Sequence, residues 1–273
     1  YSQSASGANT VFTNNDIYAL TGAQAGQGGN GGAAGNGGAG GNVGSGLVQG
    51  PGGAGGNGGN GGNAGSGQNA GAGAAVFITG SPLTLTNNTL VNPSAPQTGG
   101  AAGSAGAAGL GGAGGSGNPA GAAGLAGSPG AAGSAGAQGF AWGAFLGTGS
   151  AVQFHNNIVA GTWTVVPANS RGVEQQTGAA LTLDYNLVWN WQLRYVTTAA
   201  PGHDLNQNPL FVSNTDHHLR MDSPAVDSGS DSAPSRPAVD IEGIARPLDG
   251  NHDGFVLTDR GAFERSVVLV AKQ

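Results

Sequence analysis

Residues 83–93 read LTLTNNTLVNP, and the arrangement returns as TVFTNNDIYAL at 10–20, AVQFHNNIVAG at 151–161 and LTLDYNLVWNW at 181–191. Each copy alternates apolar and polar residues, reaches an Asn, and resumes with Leu or β-branched residues. Alternation of this composition predicts a short strand on either side of a turn. Its recurrence predicts a solenoid in which each copy is part of one coil. Aligned on Asn15, Asn88, Asn157 and Asn186, the copies are spaced by 73, 69 and 29 residues. The two long spacings each hold a pair of glycine tracts, and without the tracts each coil approaches the length of the third. The tracts therefore read as insertions at corresponding points of successive coils, expected to leave from one side.

The tracts keep a strict period of three. Gly26, Gly29, Gly32, Gly35, Gly38, Gly41 and Gly44 share one phase, and the same spacing runs from Gly50 to Gly65, from Gly100 to Gly115 and from Gly121 to Gly139. A polyproline-II-type helix has three residues per turn and rises ~3.1 Å per residue, so this spacing lays a glycine edge along a rod. Without Cβ atoms on that edge, a neighbouring backbone approaches closely enough for hydrogen bonds that the rod cannot make internally. Tracts one and two join at LVQGP (47–51) and tracts three and four at GSGNPA (115–120), so each pair reads as a polyglycine-II hairpin of rods ~55 Å long. Triplets G-N-G and G-A-G in the first pair predict two bare edges and one edge bearing Asn30, Asn36, Asn57, Asn60 and Asn63; the second pair is expected to offer an Ala face. Sequence rich in Gly, Ser and Ala is commonly a linker, and Gly-X-Y with Pro commonly a collagen triple helix. Sparse Pro and the fold-back argue against collagen, and the unbroken phase argues against a linker.

The strand–Asn–strand pattern resembles the right-handed parallel β-helix proteins, in which an asparagine at one turn stacks on its equivalent in the next coil. The resemblance implies an asparagine ladder of Asn15, Asn88, Asn157 and Asn186. Asparagine is also ordinary turn chemistry, because it tolerates left-handed φ and bonds its own backbone. Asn87-Asn88-Thr89 matches a glycosylation acceptor, here read as structural.

Residues 208–229, NPLFVSNTDHHLRMDSPAVDSG, and 240–264, DIEGIARPLDGNHDGFVLTDRGAFE, resemble the closing module of the choice-of-anchor Q domains. That family implies a cap on right-handed β-helices of secreted, surface-attached bacterial proteins. The chain starts at Tyr1 without Met, which reads as a mature or trimmed piece, and stops at Gln273 with no anchor, which implies an anchor removed or another mode of attachment. Within the module Asp249, Asn251 and Asp253, followed by Gly254, have the one-three-five spacing of a calcium loop. Arg260 stands where that loop wants Glu, leaving Asp259 or Glu264 as substitutes. An Asp/Asn-Gly turn without metal fits the same residues. The pair His217-His218 reads as a polar turn. Trp189 and Trp191 are two apart and share a face if on one strand, either as a platform for sugar rings or a partner, or as cover for the solenoid flank.

The expected fold is all-β, with parallel β-helix coils over 1–200, polyglycine-II insertions at 22–73 and 98–139, and a capping module at 201–273. Asp16 is the only Asp, Glu, Lys or Arg before Arg171, and the net charge is −6. An almost uncharged N-terminal region has no electrostatic means of gripping nucleic acid. No apolar run is long enough to span a membrane, and the absence of Cys excludes disulfides and thiol chemistry. Glycoside hydrolysis needs paired carboxylates and a lyase needs a base with a cation, yet the four copies of the repeat offer only Asp16 and Asp184. The acids at Asp204, Asp222, Asp227, Asp231 and Asp240 are mostly absorbed by the closing module. The expectation is therefore no enzyme but an extracellular structural protein that polymerises into a filament. An adhesin that binds glycans or cell surfaces through the rod tips is the alternative.

Overall fold

A computed structural model describes residues 10–18, 25–44, 50–70, 73–80, 82–92, 96–199 and 201–266. Tyr1, Gln273 and the first three residues of the LVQGP connector lie outside them. The described residues contain strands but no helix, and hence none long and apolar enough to cross a membrane. They divide into two units, a strand unit (1–22, 72–96 and 140–273) and a tract unit (23–71 and 97–139).

In the strand unit three strands follow one another in each coil. These are β1 (Thr10–Thr13), β2 (Asp16–Ile17) and β3 (Gly73–Ile78); then β4 (Pro82–Thr86), β5 (Thr89–Asn92) and β6 (Ala141–Leu146). The third coil holds β7 (Ala151–His155), β8 (Ile158–Gly161) and β9 (Ser170–Gln175), and the fourth β10 (Ala180–Asp184), β11 (Leu187–Trp189) and β12 (Leu193–Val196). Equivalent strands pair in parallel into three four-stranded sheets, β1-β4-β7-β10, β2-β5-β8-β11 and β3-β6-β9-β12. The register stacks like on like. Phe12 lies beside Leu85, Leu85 beside Phe154 and Phe154 beside Leu183, and the row of Leu90, Val159 and Val188 does the same in the second sheet. These rows point inward and form the core with Ala144 and Val173 of the third sheet.

Both glycine insertions fall between the second and third strands of a coil, after β2 and after β5. The third sheet escaped the sequence reading because its strands share little pattern. A signal was nevertheless present. Thr79-Gly80, Thr148-Gly149 and Thr177-Gly178 each precede a first strand, and the three glycines turn the chain at φ +67°, +80° and +85°, where a Cβ is unfavourable.

Residues 201–266 belong to the strand unit, and near their start Leu205 pairs in parallel with Leu187 of β11, on the last coil. They run along the unit's side as a brace. Leu219, Ala225 and Val226 cover the outer face of the second sheet, burying Ile158, Ala160 and Leu187. The sheet is thus buried on both faces, the reason its strands read as unbroken apolar runs rather than alternating ones. The Arg246–Glu264 pair inside the brace is fully buried, with 2.8 Å between guanidinium and carboxylate.

In the tract unit four extended segments bond to one another at every third residue. Tract two donates to tract one in antiparallel sense, from Gly53 to Gly41 O and onward to Gly65 with Gly29 O; tract four likewise donates to tract three, as in Gly124 to Gly112 O. Between the pairs, tract three donates to tract two in antiparallel sense, whereas tract one donates to tract three and tract two to tract four in parallel. Tract one therefore has two neighbours and tract two has three, where the triplet pattern implied two for both. An added Cβ at Gly103 would sit 2.0 Å from Gly29 O and one at Gly37 1.9 Å from Gly56 O, so neither position has room for a side chain as the tracts stand. The Asn residues have a definite task. Carboxamide oxygens of Asn30, Asn36 and Asn42 accept the outward amides of Ser104, Leu110 and Ser116, and Asn57, Asn60, Asn63 and Asn69 serve Leu125, Ser128, Ala131 and Ala137, at 2.8–2.9 Å.

Candidate functional sites

Every turn from a first to a second strand is made by two adjacent residues. The first, Asn14, Asn87, Asn156 or Tyr185, has φ of 53° to 58°, a left-handed conformation to which Asn is well suited. The second belongs to the row Asn15, Asn88, Asn157, Asn186. Its side chains join end to end, Nδ2 to the next Oδ1, at 2.9, 3.0 and 3.1 Å. Each Oδ1 also accepts the backbone amide of the preceding coil's Asn, at 3.1, 2.9 and 2.9 Å. Asp204 ends the series: it accepts the Asn186 amide at 2.6 Å and the Tyr195 hydroxyl. Burial pushes the Asp204 carboxyl above its ordinary range and raises the Tyr195 phenol. Nothing in the repeat marks Asp204 as a rung, because it lies outside every copy.

The first-position residues grip the brace, a role the sequence did not disclose. Asn14 donates to Val239 O at 2.6 Å, Asn87 to Asp259 O at 2.8 Å and Asn156 to Ser230 O at 2.9 Å. Arg260 completes the seam, donating to Asn186 O at 2.6 Å; burial lowers its pKa to about 10. Asn87 is the acceptor of the glycosylation motif, and it is wholly buried.

The acidic loop gathers a different set from the spacing. Oxygens of Asp227, Asp249 and Asp253 lie within 4.8 Å of one another, so Asp227 joins the loop from an earlier part of the brace. Asp227 accepts the amides of Gly250 and Asn251 at 3.1 and 3.0 Å, and Asn251 Oδ1 accepts the Asp253 amide at 2.8 Å. Burial, then the negative charges of Asp249 and Asp253, raise the Asp227 pKa. Asp259 and Glu264 are instead structural. Asp259 accepts the amides of Asp227 and Arg265 at 2.7 and 2.6 Å, and Glu264 holds Arg246. Burial and the neighbouring Glu264 raise the Asp259 pKa.

Trp189 and Trp191 form no shared platform. Asn190, at φ 66°, turns the chain between them, so Trp191 is buried in the core against Trp163 while half-buried Trp189 packs under the brace. His217 and His218 also part. His217 is buried with Nδ1 2.7 Å from Asp16, tying the brace to the first coil, and His218 bridges Asp216 and Glu242.

Asp184 and His203 approach to 3.0 Å, with the His203 side chain 61% exposed. Burial raises the Asp184 pKa, but the His203 bonds and backbone amides outweigh it and hold the carboxyl below its ordinary value. So open a pair lacks the water-excluded setting in which preorganised charge acts strongly. A cavity of about 280 Å³ in the tract unit is lined by Gln27, Gln97, Thr98 and neighbouring Gly and Ala residues, with no ionisable side chain among them.

Comparison with models of protein families, with known proteins and with solved structures finds no match to the chain.

Proposed function

We propose that the chain is an extracellular structural protein that assembles with copies of itself into a filament. In this reading the strand unit is a right-handed parallel β-helix and the tract unit a bundle of polyglycine-II rods. The observation that carries it is the set of unpaired strand edges: beyond β1, β2 and β3 at one end, and beyond β10 and β12 at the other, no strand pairs among the described residues, while β11 is met by Leu205. Unpaired strand edges template further strands, and end-to-end addition of that kind propagates without closing. Apolar side chains are exposed on the terminal strands at both ends, Val11 at 49% and Phe77 at 62% on the first coil, Leu193 at 46% on the last. Between Asp16 and Arg171 no charged residue opposes close approach of copies.

The likeness of residues 208–264 to choice-of-anchor Q modules supports a secreted, surface-held protein. Asp227, Asp249 and Asp253 supply the hard oxygen donors that calcium prefers, and calcium there would clamp two parts of the brace together. Ultracentrifugation tests assembly. Protein that pellets above a threshold concentration and redissolves on dilution supports the filament; protein that stays in the supernatant as single chains at every concentration removes it.

A further inference from the structure

All four Asn-Gly pairs of the chain, Asn30-Gly31, Asn36-Gly37, Asn57-Gly58 and Asn60-Gly61, lie in tracts one and two. In each, both members grip a single residue of a neighbouring tract. Gly31 donates to Ser104 O while Asn30 Oδ1 accepts from Ser104 N; Asn36-Gly37 holds Leu110 in the same way, Asn57-Gly58 holds Leu125 and Asn60-Gly61 holds Ser128, every bond at 2.8–2.9 Å. Two demands of the packing create the pair. The outward amide of the gripped residue needs an acceptor, which the short carboxamide supplies. A Cβ on any of the four glycines would come within 1.9–2.2 Å of a neighbouring carbonyl oxygen as the tracts stand.

The same pair is a chemical liability, since Asn is among the thermolabile residues. Released from its neighbours, the Gly backbone nitrogen gives up its proton and attacks the Asn Cγ. A five-membered ring closes through the new N–Cγ bond, the Cγ–Nδ2 bond breaks, and Nδ2 departs as ammonia with a proton returned through solvent. Water then opens the succinimide at either carbonyl, giving Asp or isoaspartate. Glycine has no Cβ to obstruct closure, whereas Asn42, Asn63 and Asn69, which hold neighbouring amides in the same way, are followed by Val43, Ala64 and Ala70. Bundling blocks the reaction at both atoms: the Gly proton is held by one carbonyl, and the carboxamide is held on the neighbouring amide.

We infer that the four pairs are deamidation sites that become reactive only when the tract unit opens, so that bundling keeps the tracts chemically intact and a long opening is recorded irreversibly. All four Asn side chains are exposed, so water reaches the ring once it forms. Isoaspartate adds a main-chain carbon and throws the period of three out of register beyond it. Either product puts a carboxylate into a stretch with no charged residue between Asp16 and Arg171 to pair with it. The inference does not depend on assembly and is tested on dilute protein.

Peptide mapping by mass spectrometry follows each Asn of the full chain at mildly alkaline pH, native and in guanidinium chloride. In denaturant the four pairs are expected to react ahead of Asn42, Asn63 and Asn69; in the native protein they are expected to react at least about tenfold more slowly than in denaturant. Equal native and denatured rates at the four pairs overturn the inference. Refolding gives a second reading. Ser66-Gly67 grips Ser134 as the Asn-Gly pairs grip their partners, with Ser134 N 3.2 Å from Ser66 Oγ, and serine cannot form the ring. The variant Asn30→Ser, Asn36→Ser, Asn57→Ser, Asn60→Ser is expected to regain hydrogen-exchange protection of tract two after a long hold in denaturant, and wild type to lose it. Wild type that regains full protection after complete deamidation refutes the irreversible record. The rates, measured on wild type alone, hold whether or not the variant bundles.

Discussion

Removing one rung from the middle of the asparagine row has a cost that the geometry fixes. Asn157 is wholly buried. Its Oδ1 accepts the Asn88 amide at 2.9 Å, and its Nδ2 donates to Leu85 O at 3.0 Å. In Asn157→Ala both partners remain buried and lose these bonds, while Asn88 Nδ2 keeps Phe12 O and Asn186 Oδ1 keeps the residue-157 amide. Two orphaned buried groups at about 1–3 kcal/mol each give a loss of about 4 kcal/mol. Asn15, the first rung, is only half-buried, and Asn88 Oδ1 still receives its backbone amide after truncation. Asn15→Ala is expected to cost about 1 kcal/mol. Urea unfolding of dilute protein, followed by circular dichroism, measures both. With a slope of about 2 kcal/mol per molar, the midpoints should separate by roughly 1.5 M. Equal midpoints would refute the view that the row acts as a buried, coupled network.

Arg246→Ala strands the buried Glu264 carboxylate and should cost about 3–5 kcal/mol, read in the same unfolding assay; a loss below about 1 kcal/mol would place the pair in water. Asp204 has its folded pKa raised by burial, so its contribution is complete below the unfolded value of about 3.9 and is lost as pH rises through the folded one. Asp204→Asn keeps an oxygen for Asn186 without the charge, and should gain on wild type towards neutral pH and flatten the stability curve above about pH 4. Calcium at one hundred times its Kd should stabilise the protein by about 2.7 kcal/mol, an effect reversed by chelator and lost in Asp249→Asn. An unchanged melting temperature would leave the loop as a turn.

The strand–Asn–strand repeat made two of the three sheets legible, because every corner between them carries Asn at its second position, after an alternating first strand and before an apolar second one. The third sheet was hidden by strands as different as AWGAFL and SRGVEQ, and the Thr-Gly turns before β4, β7 and β10 were the clue that went unread. Glycine spacing announced the tracts, yet it did not show which rows pack. In tract one the interrupted row of Gly28, Gly31, Gly37 and Gly40 faces neighbouring backbone, whereas the unbroken row faces open space. The loop acids were visible from spacing alone, but Asp227 comes from a turn more than twenty residues earlier, a proximity that only the fold creates. The side support was not legible, since the residues that hold it, Asn14, Asn87 and Asn156, bond to carbonyls 74 or more residues away in sequence.

Assembly is the central claim, and negative-stain electron microscopy of the native protein tests it most directly. The account expects fibres with one regular axial repeat. Dispersed particles the size of one or two chains, at the highest soluble concentration, would contradict it.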